Sequence, residues 1–204
     1  MNRAVVWDMG GVLYRYFTEL LVDQARAEGW LDGLPLGPTG PVPDADYRAM
    51  AEGRMDEAEY VRRVQDRLRS VGVDAELYRR FHWETAIRSD VVAMVEELRR
   101  EDIRQVVLTN DASRWLGPDW RTTWEYSGLF DALVDVAELV ARKPDPLPYL
   151  EAARAVGCGP RECVFVDDLP VNCRGAEAVG MAAVWFDVSD EVGSLSRLRM
   201  LLDR

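Results

Sequence analysis

Short apolar runs alternate with amphipathic helical segments along most of the chain. Five such runs predict strands: RAVVW (3–7), RQVVL (104–108), DALVDV (131–136), ECVFV (162–166) and AAVWF (182–186). Helical patterns come before, between and after the last four runs: 89–102 with Ser89 as N-cap, a short helix ending at Gly128, then 146–157, 170–180 and 191–202. This alternation is typical of a parallel sheet covered by helices. It predicts an α/β fold with a Rossmann-like, doubly wound parallel sheet.

The spacing of the strands indicates an inserted segment. About 100 residues separate the starts of the first two runs, whereas later runs follow at about 20–30 residues, the size of one βα unit. The long gap contains helical patterns and one Gly/Pro-rich loop: helices at 15–30, 56–71 and 74–84, and the loop at 31–46. A loop of this length favours a functional or mobile segment. We therefore predict a core of residues 1–14 and 87–204, with a helical cap at 15–86.

Composition narrows the function classes. The formal charge of −11 argues against non-specific binding to nucleic acid or anionic membranes, because both require a basic face. An odd number of cysteines without CxxC spacing predicts neither a disulfide framework nor a zinc site: Cys158, Cys163 and Cys173. We interpret them as buried thiols in a reducing compartment, and the sequence has no run of signal-peptide or membrane-span length. A cytoplasmic protein is expected.

Polar residues follow the predicted strands where their carboxyl ends should meet. Asp8 follows the first strand; Thr109, Asn110 and Asp111 follow the second; Asp167 and Asp168 follow the fourth. In a parallel α/β sheet these ends share one edge, which is where ligands bind. Each residue taken alone fits a solvated loop or helix cap, but their coincidence on one edge predicts a site. Lys143, in ARKPDP, can reach the same edge and is the only lysine among 25 Lys and Arg residues.

This residue set suits phosphoryl transfer. Several carboxylates placed together favour a hard divalent cation with oxygen ligands, Mg²⁺ above all. Lysine supplies a compact positive charge for an anion, whereas the planar arginine fork is larger and differently shaped. Thr109 offers a hydroxyl beside backbone amides that can bind phosphate oxygens. Asp8 is then available as a nucleophile that forms an acyl phosphate.

Four segments resemble the motifs of the haloacid dehalogenase-like hydrolase superfamily in order and spacing: VVWDMGGVL, VVLTN, RKPDP and VFVDDLPVNCRGAEAVGM. The core that carries these motifs and the insert together cover nearly the whole chain. The resemblance implies a Rossmann-like core, a C1-type helical cap after the first strand, and an aspartyl-phosphate mechanism with Mg²⁺. A small phosphorylated metabolite is the expected partner. Capped family members often dimerise, so a homodimer is left open.

The resemblance also implies a metal site. Asp8 resembles the nucleophile and a metal ligand, and Asp168 resembles the direct metal ligand. Asp167 resembles either a ligand or a holder of metal-bound water. The backbone carbonyl of Gly10 is a further ligand, since that role requires no side chain.

Three residues resemble the family's phosphate-binding and charge-stabilising groups. Thr109, with Asn110, resembles the phosphate binder, and Lys143 resembles the lysine that stabilises charge in the reaction. Gly11 is expected to present a backbone amide to the anion. The two glycines also fit a tight turn with positive φ, and the two interpretations are compatible.

Gly10 departs from the pattern of the family phosphatases. They usually carry a second Asp there, which protonates the leaving oxygen and later activates water. Other members that resemble sugar-phosphate phosphatases share a DxGGV or DxGNV motif, so another group, a water or the substrate can replace the acid. Acid–base help contributes ~10²–10⁴-fold, which predicts a slow enzyme or one restricted to good leaving groups. The alternative is a protein that binds phosphorylated ligands or a partner without turnover.

Other chemistries fit less well. Dehalogenation needs no divalent metal, so Asp167 and Asp168 would be surplus. A receiver domain places its paired acids near the first strand, not the fourth. A Ser-His-Asp or Cys-His hydrolase would depend on the only histidine, His82, which we expect to pack within the cap. Trp115 and Trp120 are expected to pack in the core or a lid and not to stack on a base.

Overall fold

A computed structural model of the chain describes residues 4–30, 33–73, 86–110 and 112–203, without the side chains of 114 and 115. The chain folds into two compact units: Met1–Tyr14 with Arg88–Arg204, and Arg15–Ile87.

The first unit is built on a five-stranded, entirely parallel sheet. Its strands are β1 (Ala4–Trp7), β2 (Arg104–Thr109), β3 (Ala132–Asp135), β4 (Cys163–Asp167) and β5 (Ala182–Trp185). They lie in the order β3-β2-β1-β4-β5, so the first strand is central. All of β1 and β4 is buried, which explains their unbroken apolar sequences, since a strand covered on both faces has no polar side. The predicted α/β fold with a parallel sheet is confirmed.

Helices flank this sheet: α4 (Ser89–Arg100), α5 (Ala112–Leu116), α6 (Trp120–Thr123), α7 (Pro146–Ala155), α8 (Pro170–Ala178) and α9 (Glu191–Leu202). One face carries a core to which β1, β2, β4, α7 and α8 all contribute; it includes Val6, Phe165 and Tyr149. Alternation turns Trp7 to the opposite face, where its indole donates to Gln105 at 3.1 Å. Within the described residues, no helix combines the length and apolarity needed to cross a membrane.

The second unit contains α1 (Phe17–Glu28), α2 (Ala45–Ala51) and α3 (Glu57–Ser70). The buried Asp44 carboxylate caps α2 by accepting from the amides of Asp46 and Tyr47 at 3.0 and 3.1 Å. It also accepts from the Gly37 amide and the Tyr60 hydroxyl, both at 3.0 Å. The described part of the Gly/Pro-rich loop is therefore tied to two helices through one carboxylate.

Several element boundaries differ from the predictions. Ser89 is the first helical residue and not an N-cap, because the extended residue before α4 is Arg88. Gly128 does not end a helix; it lies inside the 3₁₀ turn Ser127–Leu129, and α6 ends earlier. Helix α2 begins within the segment predicted as loop. The predicted helix at 74–84, including His82, lies outside the described residues, as does the side chain of Trp115.

Candidate active site

The carboxyl ends of three neighbouring strands bring the main predicted residues to one edge of the sheet. Asp8 directly follows β1, Thr109 ends β2, and Asp167 ends β4. Because β1 lies between β2 and β4, these strand ends are adjacent. All three residues are buried, with exposed fractions of 8%, 2% and 0%. The order of the strands, and not proximity in the chain, assembles the site.

Lys143 joins two of the acids. Its Nζ lies 2.5 Å from Asp8 Oδ1 and 2.8 Å from Asp167 Oδ2, and its side chain is buried. Lys143 lies in the loop 139–145, called the lysine loop below. Its main-chain amide donates to Asn110 Oδ1 at 3.2 Å, which anchors this loop to the residue after β2. The only lysine in the sequence therefore lies between the ends of β1 and β4.

The Asp167 carboxylate accepts four hydrogen bonds. Oδ1 accepts from the Leu169 amide at 2.8 Å and from Asn172 Nδ2 at 3.0 Å. Oδ2 accepts from Lys143 Nζ at 2.8 Å and from the same Asn172 nitrogen at 3.1 Å. These four contacts come from three donors, because the Asn172 nitrogen contacts both oxygens. Asp167 holds Lys143 in place and does not cap α8, whose N-cap residue is Leu169.

Three buried carboxylates form a cluster that suits a cation. Ligand oxygens of Asp8, Asp167 and Asp168 all lie within 4.8 Å of one another. Lys143 pairs with the first two. Carboxylate oxygens at this spacing match the preferences of a hard divalent cation.

Burial and charge shift the acid–base properties of the ion pair. Burial raises the pKa of Asp8 to about 8, an effect that the Lys143 charge opposes and the Asp167 charge reinforces. For Lys143, desolvation favours the neutral amine, but the Asp167 and Asp8 carboxylates outweigh it and raise the pKa above its ordinary value. The lysine is therefore cationic at neutral pH. A further cation near Asp8 would favour its carboxylate form.

The two glycines after Asp8 have different roles. Gly11 has φ +86, and a Cβ there would lie 2.3 Å from Asp168 Cγ, so only glycine fits. Its amide donates to the Tyr14 carbonyl at 2.7 Å. This contradicts the expectation that the Gly11 amide faces an anion, because the turn already uses that donor. A Cβ on Gly10 would meet nothing within 4 Å. Packing therefore leaves room for a side chain at position 10, and it does not explain why the acid is absent there.

The predictions from sequence overlooked two buried polar residues beside the site. Asn172, in the first turn of α8, contacts both oxygens of Asp167. Asp135 ends β3 in register with Thr109, and it accepts from the amides of Ser113 and Ala137, both at 2.9 Å. It thereby fixes the chain after β2 and after β3. Asp135 could have been predicted from the sequence, because it is an acid at the end of a strand. For Asn172, the sequence gives no indication other than its place within the fourth motif.

Close packing against α8 positions the lysine loop. A Cβ on Gly175 would lie 2.6 Å from the Pro144 carbonyl oxygen and 2.7 Å from the Tyr149 hydroxyl. The same hydroxyl donates to the Asn172 carbonyl at 2.8 Å. Glycine at this position therefore lets the residue next to Lys143 approach the helix. Trp120 is fully buried and packs 6.0 Å from Trp124, as expected for a core residue.

Comparison with known proteins identifies the family. The haloacid dehalogenase-like hydrolase family matches residues 2–180. The chain belongs to this family of hydrolases.

Relatives of this chain include named phosphatases. Phosphatase MT3486 of Mycobacterium tuberculosis is 30% identical over 222 residues, covering 98% of this chain and 96% of that protein. A phosphoglycolate phosphatase of Xanthomonas campestris is 27% identical over 198 residues, covering 90% and 83%. A crystal structure described as a dehalogenase shares the fold, with a TM-score of 0.65 at 19% identity, over 100% of this chain and 98% of the other. The relatives support a hydrolase of phosphatase type.

Proposed function

We propose that the chain is a Mg²⁺-dependent phosphatase that hydrolyses small phosphomonoesters through a phosphorylated Asp8. The observation that carries the proposal is the buried contact between Lys143 Nζ and Asp8 Oδ1 within a cluster of three carboxylates. The names of MT3486 and of the Xanthomonas relative support the reaction class. The same proposal includes the first motif, DxGGV. It also includes the division of the chain into a core of residues 1–14 and 87–204 and a C1-type cap of residues 15–86.

Asp8, Asp168 and the Gly10 carbonyl would hold the metal. Asp167 accepts from Lys143, Leu169 and Asn172, so we assign it the task of holding Lys143. When bound, Mg²⁺ supplies positive charge that offsets the charge of the transferring phosphoryl group.

In the first step, the Asp8 carboxylate attacks phosphorus. A bond forms between Asp8 and phosphorus, and the bond from phosphorus to the ester oxygen breaks. The Thr109 hydroxyl and Asn110 bind phosphoryl oxygens, and the Lys143 ammonium stabilises their charge. Because Lys143 is held by two carboxylates, it needs little reorganisation during the reaction.

Gly10 has no side chain to protonate the leaving oxygen, so the proton comes from water, the substrate or another group, or the oxygen departs unprotonated. In the second step a water attacks phosphorus, the bond to Asp8 breaks, and inorganic phosphate leaves. The water's proton passes to solvent or to a phosphoryl oxygen. Substrates with acidic leaving groups, such as aryl or acyl phosphates, should therefore react faster than alkyl phosphates.

An assay with an aryl phosphate tests the proposal. We expect Mg²⁺-dependent release of phosphate that Asp8→Asn abolishes, since the amide is not a nucleophile. Asp66→Asn, at an exposed helix position, is the control and should keep the wild-type rate. A rate that survives Asp8→Asn would contradict the mechanism.

A second candidate function is binding of phosphorylated ligands without turnover. The absence of a side chain at Gly10, where the family phosphatases carry their acid, favours it. It predicts that Mg²⁺ binds and that no phosphate is released from a broad panel of phosphomonoesters. Calorimetric titration with Mg²⁺ beside the activity panel separates the two candidates.

A further inference from the structure

Arg88 is a buried arginine in the first unit, at the point where the chain returns from the inserted segment. Its exposed fraction is 4%. A buried cation is unfavourable unless it is paired and hydrogen-bonded. Arg88 Nη1 contacts Glu191 Oε1 at the start of α9, which provides the opposite charge. Because burial of this ion pair is costly, we expect the contacts of the Arg88 side chain to serve a specific function.

The Arg88 side chain also holds the loop that follows Asp8. Its Nε donates to the Gly11 carbonyl at 3.3 Å, and its main-chain amide donates to the Leu13 carbonyl at 2.9 Å. Gly11 in turn packs directly on the Asp168 carboxylate, since an added Cβ would lie 2.3 Å from Asp168 Cγ. The position of the Gly11 backbone therefore limits where the Asp168 carboxylate can lie.

A second contact connects Arg88 to the other acid-bearing segment. Its guanidinium lies 5.5 Å from the centroid of the Phe186 ring. The Phe186 amide donates to the Asp167 carbonyl at 2.9 Å. Arg88 thus contacts residues that are bonded to, or packed on, both Asp167 and Asp168.

We propose that Arg88 is a positioning residue for the metal site. By holding Gly11 and packing on Phe186, it keeps the Asp8 loop and the paired acids at the separation that a divalent cation requires, and Glu191 compensates its charge. The proposal rests on the proposed function, because it assigns Arg88 an effect on Mg²⁺ binding by Asp8 and Asp168. Partners behind the direct ligands typically change metal affinity by about 10–100-fold when removed.

Calorimetric titration of Arg88→Met with Mg²⁺ tests the proposal. Methionine keeps an unbranched apolar stem but removes every donor. We expect the Mg²⁺ dissociation constant to rise about 10–100-fold. We also expect kcat to recover at saturating Mg²⁺ and the KM for the ester to stay near wild type. Arg88→Lys keeps one donor nitrogen in place of the guanidinium. Its Mg²⁺ dissociation constant should therefore lie between those of Arg88→Met and wild type.

Arg121→Met is a control matched in its kinds of contact, at a side chain that is 32% exposed against 2% for Arg88. Arg121 makes the same three kinds of contact away from the acid cluster. Its Nε donates to the Leu133 carbonyl at 3.3 Å, its Nη1 pairs with Glu138 at 2.9 Å, and its guanidinium lies 5.1 Å from the Trp120 ring centroid. Its removal should leave Mg²⁺ affinity unchanged.

Two results would overturn the role of Arg88. One is an Arg88→Met protein that is less stable yet binds Mg²⁺ like wild type, which would indicate a purely structural arginine. If Arg88→Met does not fold, Arg88→Lys decides, and an unchanged Mg²⁺ dissociation constant rejects the proposal. Failure of the proposed function looks different: the wild-type protein would then bind no Mg²⁺, or Asp8→Asn would keep its activity.

Discussion

Lys143 is a buried positive charge placed between two acids of the candidate site. Its ammonium lies between the carboxylates of Asp8 and Asp167 with almost no solvent exposure. A guanidinium is planar and larger, so it would not fit the same point contact with both acids. This is a physical reason for one lysine in a chain that otherwise uses arginine.

Lys143→Met should destabilise the protein strongly in the absence of Mg²⁺. Removing one partner of a buried ion pair leaves uncompensated buried charge, at a cost of about 3–5 kcal/mol in the free energy of unfolding. Urea unfolding in EDTA measures this loss, and added Mg²⁺ should restore part of it. Arg154→Met, which breaks an exposed pair with Glu151, should change stability little. Equal effects of the two changes would contradict the account of Lys143.

Gly10→Asp should raise turnover if the missing acid limits the rate. A Cβ at Gly10 has open space, so the substitution should fold normally. The gain should approach ~10²-fold for alkyl phosphates, which need a protonated leaving group, and be smaller for aryl phosphates. Steady-state kinetics on both substrate types at saturating Mg²⁺ provides the measurement. An unchanged or lower rate on alkyl phosphates would mean that another group already supplies the proton.

At the level of secondary-structure elements, the site depends on how closely the lysine loop approaches α8. Gly175 permits that approach because it has no Cβ to meet Pro144 and Tyr149. The sequence predicts α8 as a helix, but it does not indicate that position 175 within it must be glycine.

Gly175→Ala should lower activity by displacing the loop that carries Lys143. Alanine is the better helix former by roughly 0.5–1 kcal/mol, so the loss should not follow from helix propensity. Gly128→Ala is the control, because a Cβ there meets nothing within 4 Å. We expect kcat/KM to fall for Gly175→Ala and to stay constant for Gly128→Ala. Full activity of Gly175→Ala would show that the loop position does not matter.

For the whole molecule, the net charge of −11 and the acid cluster at the sheet edge have the same sign, so a cation at this site should stabilise the fold. A ligand at about 100 times its dissociation constant adds about 2.7 kcal/mol to the free energy of unfolding. For a chain of this size that corresponds to a rise in melting temperature of roughly 5–10 °C. Thermal unfolding with and without Mg²⁺ measures the rise, and Asp168→Asn should remove most of it. A Mg²⁺-independent melting temperature would argue against a metal site.

Much of the site was readable from the amino-acid order alone. Apolar runs that end on Asp8, Thr109 and Asp167 predict both a parallel sheet and a polar edge, because hydrophobic periodicity is local and the carboxyl ends of parallel strands coincide. The single lysine was visible in the same way.

Other features exist only once the chain has folded. The pairing of Asp167 with Lys143 joins two segments that are 24 positions apart in the chain. The turn at Gly11 uses an amide that was expected to face an anion, and Arg88 reaches Gly11 from 77 positions further along the chain. Periodicity and composition describe neighbours along the chain, whereas these contacts follow from packing between distant segments, and no local pattern encodes them.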